Sequence, residues 1–512
     1  MSRILESESL RLAEQDRLDQ LKTAKERNKW GQFATPPALA LEIAQYAWAR
    51  LKCPEATFSF LEPALGTGAF YGAFLQAFPN ERIDSATGIE LDPAFADAAK
   101  SIWSSHGLRV IESDFTRQNA ERLHNVILTN PPYVRHHHMD GEAKERLGRL
   151  VYSATGRRLS GLAGLYCYFL LIAHRWLADN GLAIWLIPSE FMGVNYGGEV
   201  KRYLTEQVTL IHIHRFCPSD VQFGDALVSS AIVVFEKRRP ESDHEVVFSF
   251  GGPLTNPSST ERVSIDRLRQ IEKWTSLPER GAPRQQPNAV LLGDLFTVTR
   301  GVVTGNNDFF VVPRAKLQEL GIPPNCVRPI LPSPRFLKQE IVDGDAEGWP
   351  ILNEPLALID TQMSEEELQA NYPRFWQYIQ EGKRLGIDSG YLTSRRNPWY
   401  SQEKRQVASF VCTYMGRSLE RPFRFIWNKS GAIAANVYLL LYPKDWIAKE
   451  VTTKAAEVFE SLRRIEAHDF FSEGRVYGGG LLKMEPSELM RLPADDLANI
   501  LGVKPQRQLT LF

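Results

Sequence analysis

Short apolar runs recur along the first half of the chain, at Phe58–Leu65, Ala86–Leu91, Arg109–Ile111, Val126–Thr129, Ala183–Pro188, Leu210–Arg215 and Ser230–Phe235. Most are apolar at successive positions rather than alternate ones, which suits strands buried on both faces. Between several of them the apolar positions repeat with helical spacing, over Ala69–Phe78, Pro93–Ser104 and Leu162–Ala178. Strands alternating with helices predict βαβ units and a mainly parallel sheet covered on both faces, an α/β fold. The last two strands have little between them and read as an antiparallel edge hairpin. Ahead of the sheet, residues 2–28 read as a charged amphipathic helix whose few apolar positions are Ile4, Leu10, Leu12, Leu18 and Leu21. Thr35-Pro36-Pro37 starts the next helix, because proline is favoured in a first helical turn.

The pattern lapses after residue 236, where KRRPESDHE, GGPLTNPSSTE and SLPERGAPRQQPN are rich in Pro, Gly, Ser and charge. The expected division is a charged helix (1–30), an α/β domain (31–240), a linker (241–290) and a second globular domain (291–512) with a mixed α+β pattern. A length of 512 residues requires more than one domain of about 100–200 residues. Sixty basic against 61 acidic residues leave a net charge of −1, which excludes a strongly cationic coat for nucleic acid but not a local basic face. The five cysteines are scattered and never paired as C-x-x-C, so neither a disulfide framework nor a zinc ribbon is expected, and a reducing compartment fits. The charged N-terminus has no secretory apolar stretch, and no apolar run reaches the roughly 18 residues of a membrane span. A soluble, cytoplasmic protein is expected.

Chemistry concentrates where the strands end. Glu62-Pro63-Ala64-Leu65-Gly66-Thr67-Gly68 takes the first strand through a glycine turn into a helix, the arrangement that lets backbone approach a ligand at the carboxyl edge of a sheet. The acid at Glu62 would repel a pyrophosphate and suits a cationic ligand instead. Glu90, at the end of the second strand, stands where ribose hydroxyls are bound, while Asp92 before Pro93 reads as a helix N-cap. Asp114-Phe115 ends the third strand with an acceptor for an adenine amino group beside an aromatic wall. The fourth strand ends in Asn130-Pro131-Pro132-Tyr133, whose two prolines stop the ladder and fix a stiff loop at the sheet edge.

Taken in this order, the motifs resemble those of the gamma class of N6-adenine DNA methyltransferases of restriction–modification systems, with the TaqI methyltransferase as prototype. The resemblance implies a class I, Rossmann-like S-adenosylmethionine-dependent methyltransferase domain and a C-terminal target-recognition domain. Gln32-Phe33-Ala34-Thr35-Pro36-Pro37 is similar to the motif that closes over the methionine end of S-adenosylmethionine. Glu62, Ala64, Gly66 and Gly68 match the main cofactor loop, Glu90 the ribose-binding acid with Leu91 on the adenine, and Asp114 and Phe115 the pair that holds the adenine. Phe169 in Gly164–Phe169 and Pro132 complete the implied cofactor pocket, and Leu186-Ile187-Pro188 resembles the following strand motif. Asn130 and the Pro131 carbonyl would accept the two N–H bonds of the target amine, Tyr133 would stack on the flipped base, and Phe223, before Val228-Ser229, would cover its other face. No cysteine follows a proline, which excludes the nucleophile of cytosine-C5 enzymes. His136-His137-His138 reads as a loop near DNA or the pocket rather than a metal site, and the family needs no metal.

For the DNA, residues 382–430 carry ten Lys/Arg against three acids, with seven aromatic residues from Trp399 to Trp427 among them. Arg395, Arg396, Lys404, Arg405, Arg421 and Arg424 are the expected DNA contacts. Val302–Asn307 and Tyr477–Leu481 are similar to glycine-containing segments of the family's recognition region. The implied partners are double-stranded DNA and a separate restriction endonuclease, with the protein itself acting as a monomer in a prokaryotic cytoplasm. Two other readings use the same residues: a protein glutamine methyltransferase, which shares the Asn-Pro-Pro-Tyr loop, and a DNA-specificity protein with a vestigial methylase domain.

Overall fold

A computed structural model describes residues 2–23, 26–27, 30–51, 57–217, 222, 229–278, 290–418, 420–477 and 481–503. The chain divides into two compact units, Met1–Ala282 with Val476–Gly480, and Pro283–Arg475 with Leu481–Phe512.

In the first unit the order is α1 (Ser2–Gln20), α2 (Pro37–Leu51), β1 (Phe58–Glu62), α3 (Ala69–Ala77), β2 (Ile83–Glu90), α4 (Pro93–Trp103), β3 (Leu108–Glu112), β4 (His124–Thr129), α5 (Gly141–Thr155), α6 (Leu165–Ile172), β5 (Leu177–Pro188), α7 (Gly198–Glu206), β6 (Thr209–Arg215), β7 (Ser230–Glu236), β8 (Glu245–Phe250), β9 (Ser259–Ser264) and α8 (Ile265–Gln270). Among the described residues these nine strands make one sheet, ordered β3-β2-β1-β4-β5-β7-β6-β8-β9. Its first five strands are parallel, and β7 lies antiparallel between β5 and β6. Because successive side chains point to opposite faces, each strand feeds two cores. Leu182, Ile184 and Leu186 of β5 join one apolar cluster, and Ala183, Trp185 and Ile187 join the other. Helices α2, α3 and α4 cover the first face, and α6, α7 and α8 the second.

Four expectations change. Strands β6 and β7 are not an edge hairpin, since β7 is inside the sheet and β8 and β9 extend it beyond β6. Those two strands and α8 occupy the stretch expected to be a linker. The run Glu245–Phe250 is short, and β9 (STERVS) buries little besides Val263, as an edge strand does, so neither stands out among the surrounding Pro, Gly and Ser. The expected helix over Leu162–Ala178 is shorter, because β5 begins at Leu177. Helix α1 ends at Gln20, and the side chains it buries are Ile4, Arg11, Gln15 and Leu18, while Leu10 and Leu12 are exposed. Helix α5 had no apolar signature to announce it: only Leu147, Val151 and Thr155 are buried, and Asp140 caps it by accepting from Ala143 N–H at 2.7 Å.

The second unit is the mixed α+β structure expected. Phe296–Arg300, Tyr438–Pro443, Phe410–Thr413, Phe425–Asn428 and Ile341–Val342 neighbour one another in that order in a sheet, and Val311–Pro313, Leu356–Ile359 and Val327–Ile330 form a smaller one. Its cores are aromatic-rich, with Phe309, Phe310, Phe375, Trp399 and Tyr400 in one cluster. No helix among the described residues is long and apolar enough to cross a membrane.

Candidate active site and cofactor loop

In a parallel sheet, ligands gather at the carboxyl ends of the strands where the winding reverses direction. Here that point lies between the neighbours β1 and β4, which carry the Glu62–Gly68 turn and the Asn130–Tyr133 loop. The turn is left-handed at Gly66 (φ 54°) and Gly68 (φ 87°), and a Cβ on Gly68 would stand 2.6 Å from the Trp103 indole nitrogen. Glu62 is buried, its Oε2 has no hydrogen-bond partner among the described residues, and burial raises its pKa well above the carboxylate range against the pull of the Tyr71 N–H and the Arg11 charge. A cation placed against that oxygen restores the ionised form.

Glu90 is bound on both oxygens, by Gly66 N–H at 2.7 Å and Asp92 N–H at 2.8 Å, and burial raises its pKa as well. The backbone of Gly66 is thus committed to Glu90, which ties the second strand's acid to the glycine turn. Leu91 leaves the same strand end 62% exposed, an apolar wall beside the acids. Asp114 accepts from Thr116 N–H and hydroxyl through Oδ1, and its Oδ2 lies 3.4 Å from Arg117 and 3.5 Å from Arg146. Phe115 and Phe169 are both buried with ring centroids 5.1 Å apart, so they meet as one aromatic wall.

Asn130 is the best-defined polar group of the site. Its Nδ2 donates to the Phe33 carbonyl at 3.0 Å and to Thr35 Oγ1 at 3.2 Å, and its Oδ1 is buried without a partner among the described residues. Both donors are therefore occupied and the amide orientation is set. Thr35, expected to face the cofactor, spends its hydroxyl on this anchor. Pro131 is buried and Pro132 half-buried. Tyr133 is also buried, its hydroxyl donating to the Leu186 carbonyl at 3.0 Å and its ring 5.5 Å from that of Phe33. Phe223, Gly478, Gly479 and Gly480 lie outside the described residues. His136–His138 form a short turn just past the loop, with His136 half-buried and His137 and His138 exposed.

Sequence reasoning missed the residues that hold these parts. Gly31 (φ 65°) accepts from Tyr133 N–H at 3.2 Å, and a Cβ there would stand 2.3 Å from that nitrogen. Arg11 of α1 is buried, bound to Glu8 at 2.6 Å and Thr67 at 3.2 Å, and the Thr67 hydroxyl donates to Gln15 at 2.8 Å.

Two family models match the chain. Residues 87–223 match the Eco57I restriction-modification methylase, and residues 282–509 the C-terminal domain of the type II methyltransferase M.Eco57I. Over both stretches the chain is similar to type II restriction–modification methyltransferases. Curated proteins similar to this chain include the type II methyltransferase M.AccI of Acinetobacter calcoaceticus, 26% identical with 90% of this chain and 85% of that protein covered. Another is M.XamI of Xanthomonas campestris pv. amaranthicola, at 27% with 86% and 81% covered. The fold is similar to that of the type IIL enzyme MmeI in complex with DNA (TM-score 0.55, 13% identity, 95% of this chain and 78% of that chain). It is also similar to the DrdV–DNA complex (TM-score 0.52, 13% identity, 90% and 56%). S-adenosylmethionine is the methyltransferase's cofactor, and the free Glu62 oxygen, the Glu90 strand end and the Phe115–Phe169 wall fit a ligand with a cationic amino-acid end and an adenosine.

In the second unit the expected DNA residues separate by what their side chains already do. Arg396 donates to the Val303 carbonyl at 2.6 Å and the Thr304 carbonyl at 2.8 Å, and Arg424 to the Pro334 and Leu337 carbonyls at 2.9 and 2.8 Å. Both guanidiniums are committed to their own fold. Arg405 and Arg421 are ion-paired with Glu403 and Glu340. Arg395 and Lys404 are exposed and have no acidic partner among the described residues. Trp399, Tyr400, Phe410, Tyr414, Phe423 and Phe425 are buried core, so the interleaved aromatic residues do not form an open face.

Proposed function

We propose that this methyltransferase transfers a methyl group to N6 of adenine flipped out of duplex DNA, in the gamma-class, TaqI-like manner, and so protects its site from a separate restriction endonuclease. It would work as a monomer in a prokaryotic cytoplasm. The observation that carries the reading is the Asn130 amide, whose donors are used up and whose buried oxygen remains an acceptor. Adenine N6 is a weak nucleophile because its lone pair is delocalised into the ring. Asn130 Oδ1 and the Pro131 carbonyl, accepting its two N–H bonds, draw the lone pair out of the ring and stabilise charge as it develops. Phe33 and Thr35 hold the amide against rotation, so the acceptor needs no reorganisation. Tyr133, with its hydroxyl tied down, offers its ring for stacking, and Phe223 is proposed for the opposite side of the base.

In the cofactor site, Glu62 would take the cationic amino group, Glu90 the ribose hydroxyls and Asp114 the adenine amino group. Ala64, Gly66, Gly68, Leu91, Phe115, Pro132, Phe169 and Thr35 would line it. When bound, S-adenosylmethionine supplies an electrophilic methyl on its sulfonium. The recognition-type second unit favours DNA over a protein glutamine, whose amide the same loop could hold.

The test is labelled methyl transfer to mixed-sequence duplex DNA with product nucleosides identified. N6-methyladenine is expected, with Asn130→Ala losing turnover by at least about a hundredfold while cofactor affinity holds. N4-methylcytosine would change the base, and label in protein alone would overturn the reading.

A further inference from the structure

Residue 395 opens onto a feature that the basic residues of the second unit do not explain by charge alone. The chain from Ile387 to Arg396 is a series of tight turns, with Gly390 N–H bound to the Ile387 carbonyl at 3.2 Å, Ser394 N–H to Gly390 at 2.9 Å and Arg396 N–H to Thr393 at 3.1 Å. The buried Thr393 hydroxyl faces the Ile387 and Gly390 carbonyls from inside. A second loop, Val302–Asn307, is fixed against this one. Arg396 holds its Val303 and Thr304 carbonyls, and a Cβ on Gly305 (φ 89°) would come within 3.2 Å of Thr393. The Thr304 hydroxyl is bound to Asn307 at 2.6 Å, and Asn306 accepts from Phe309 N–H at 3.1 Å. The two loops are one rigid tip.

What the tip presents is a stacked pair. Tyr391 is 76% exposed, and the Arg395 guanidinium lies 3.6 Å from the Tyr391 ring centroid while donating to the Tyr391 backbone carbonyl at 2.9 Å. Arg395 makes no ion pair among the described residues, although Asp388 belongs to its own loop and Asp308 directly follows the other. A large aromatic ring left in water is costly to a monomer, and Tyr and Arg are the side chains enriched where partners bind. A flat cation lying on an aromatic ring, with its free edge outward, matches a backbone phosphate and a stacked base or sugar together.

We propose that the tip formed by residues 302–307 and 387–396 is a DNA-contacting element, with Arg395 on a phosphate, Tyr391 against an adjacent base or sugar, and Arg396 as the positioning residue that joins the loops. This rests on the reading of the protein as a DNA enzyme.

The test is duplex binding by the full chain in a salt titration, for wild type, Arg395→Ala, Arg395→Lys, Tyr391→Ala and Tyr391→Phe. Thermal midpoint and cofactor binding serve as the check that each variant is folded. Arg395→Ala should lower the slope of log K against log salt by about one, and Arg395→Lys should keep it. Tyr391→Ala should weaken binding about tenfold at fixed salt with the slope unchanged, and Tyr391→Phe should restore it. Wild-type binding matched by all four variants removes the tip from the interface and leaves the proposed function standing. Absence of wild-type binding overturns both. A change in oligomeric state for Tyr391→Ala, with DNA binding intact, makes the tip a self-association surface and also overturns the inference.

Discussion

Asn130 acts as an acceptor only while its amide is held, and the grip comes from a segment nearly a hundred residues away in sequence. Phe33 and Thr35 take its two N–H bonds, and Gly31 takes the Tyr133 N–H three residues further along the loop. Gly31 is at φ 65° with loop backbone 2.3 Å from where a Cβ would be, so an alanine there cannot be accommodated by a side-chain move. The left-handed conformation alone costs a non-glycine residue about 1–3 kcal/mol, and the clash falls on the Asn130–Tyr133 loop itself. Gly31→Ala is expected to lower single-turnover methyl transfer by more than about tenfold with a smaller loss of thermal stability. A wild-type rate would show that the loop does not depend on this contact. The places of Glu62, Glu90, Asp114 and Asn130 at or just past the strand ends were legible because the order of strands and motifs along the sequence is enough to mark them. The roles of Gly31, Arg396 and Arg424 were not, because a residue's charge or smallness says nothing of which carbonyl or backbone atom it will meet in space.

At the scale of elements, α1 shows why a charged helix is easily misread. Leu10 and Leu12 face water, and the helix instead buries Arg11 and Gln15 against Thr67 in the glycine turn. Burying polar groups is tolerable only when they are paired, and the Thr67 hydroxyl does this for both, accepting from Arg11 and donating to Gln15. The helix is therefore a strut for the Glu62–Gly68 turn. Thr67→Val keeps the shape and removes the hydroxyl, leaving the buried Gln15 oxygen without its donor, a loss of about 1–3 kcal/mol. The expected outcome is a Kd for S-adenosylmethionine about tenfold higher, measured by calorimetry, with the single-turnover rate at saturating cofactor within about twofold of wild type. An unchanged Kd would make the contact purely structural. Most of the strands β1 to β7 were readable because a strand buried on both faces is apolar at successive positions. Strands β8 and β9 were not, since an edge strand needs few apolar positions and the turns around it dominate the composition.

For the whole molecule, acid should act first on the unit that holds the cofactor site. Nine of the ten histidines lie before residue 245, and burial pushes His124, His174, His212 and His214 down to about 4. Two of them join α2, β6 and β8 through a directed chain. His214 Nε2 must donate to the Gly252 carbonyl at 3.1 Å, so its Nδ1 accepts from Ser249 at 2.8 Å. Ser249 Oγ then accepts from His212 Nε2 at 2.7 Å, and His212 Nδ1 from the Tyr46 hydroxyl at 3.0 Å. Every link needs a neutral imidazole. Since each folded pKa lies below the ordinary value of about 6.5, the unfolded chain binds protons more readily. The stabilisation is complete above about pH 6.5 and is lost as pH falls toward 4, at most roughly 3 kcal/mol for each histidine. Hydrogen exchange read by mass spectrometry from pH 7 to 4.5 should show β6 and β8 losing protection below pH 6.5, ahead of the strand Phe410–Thr413 in the second unit. In His212→Gln the pH dependence of β6 and β8 should become shallower, because one proton-binding difference between folded and unfolded chain is gone. Protection in β6 and β8 that stays level down to pH 4.5 would mean that the imidazoles are accommodated as cations, and that the chain from Tyr46 to Gly252 does not hold these strands together.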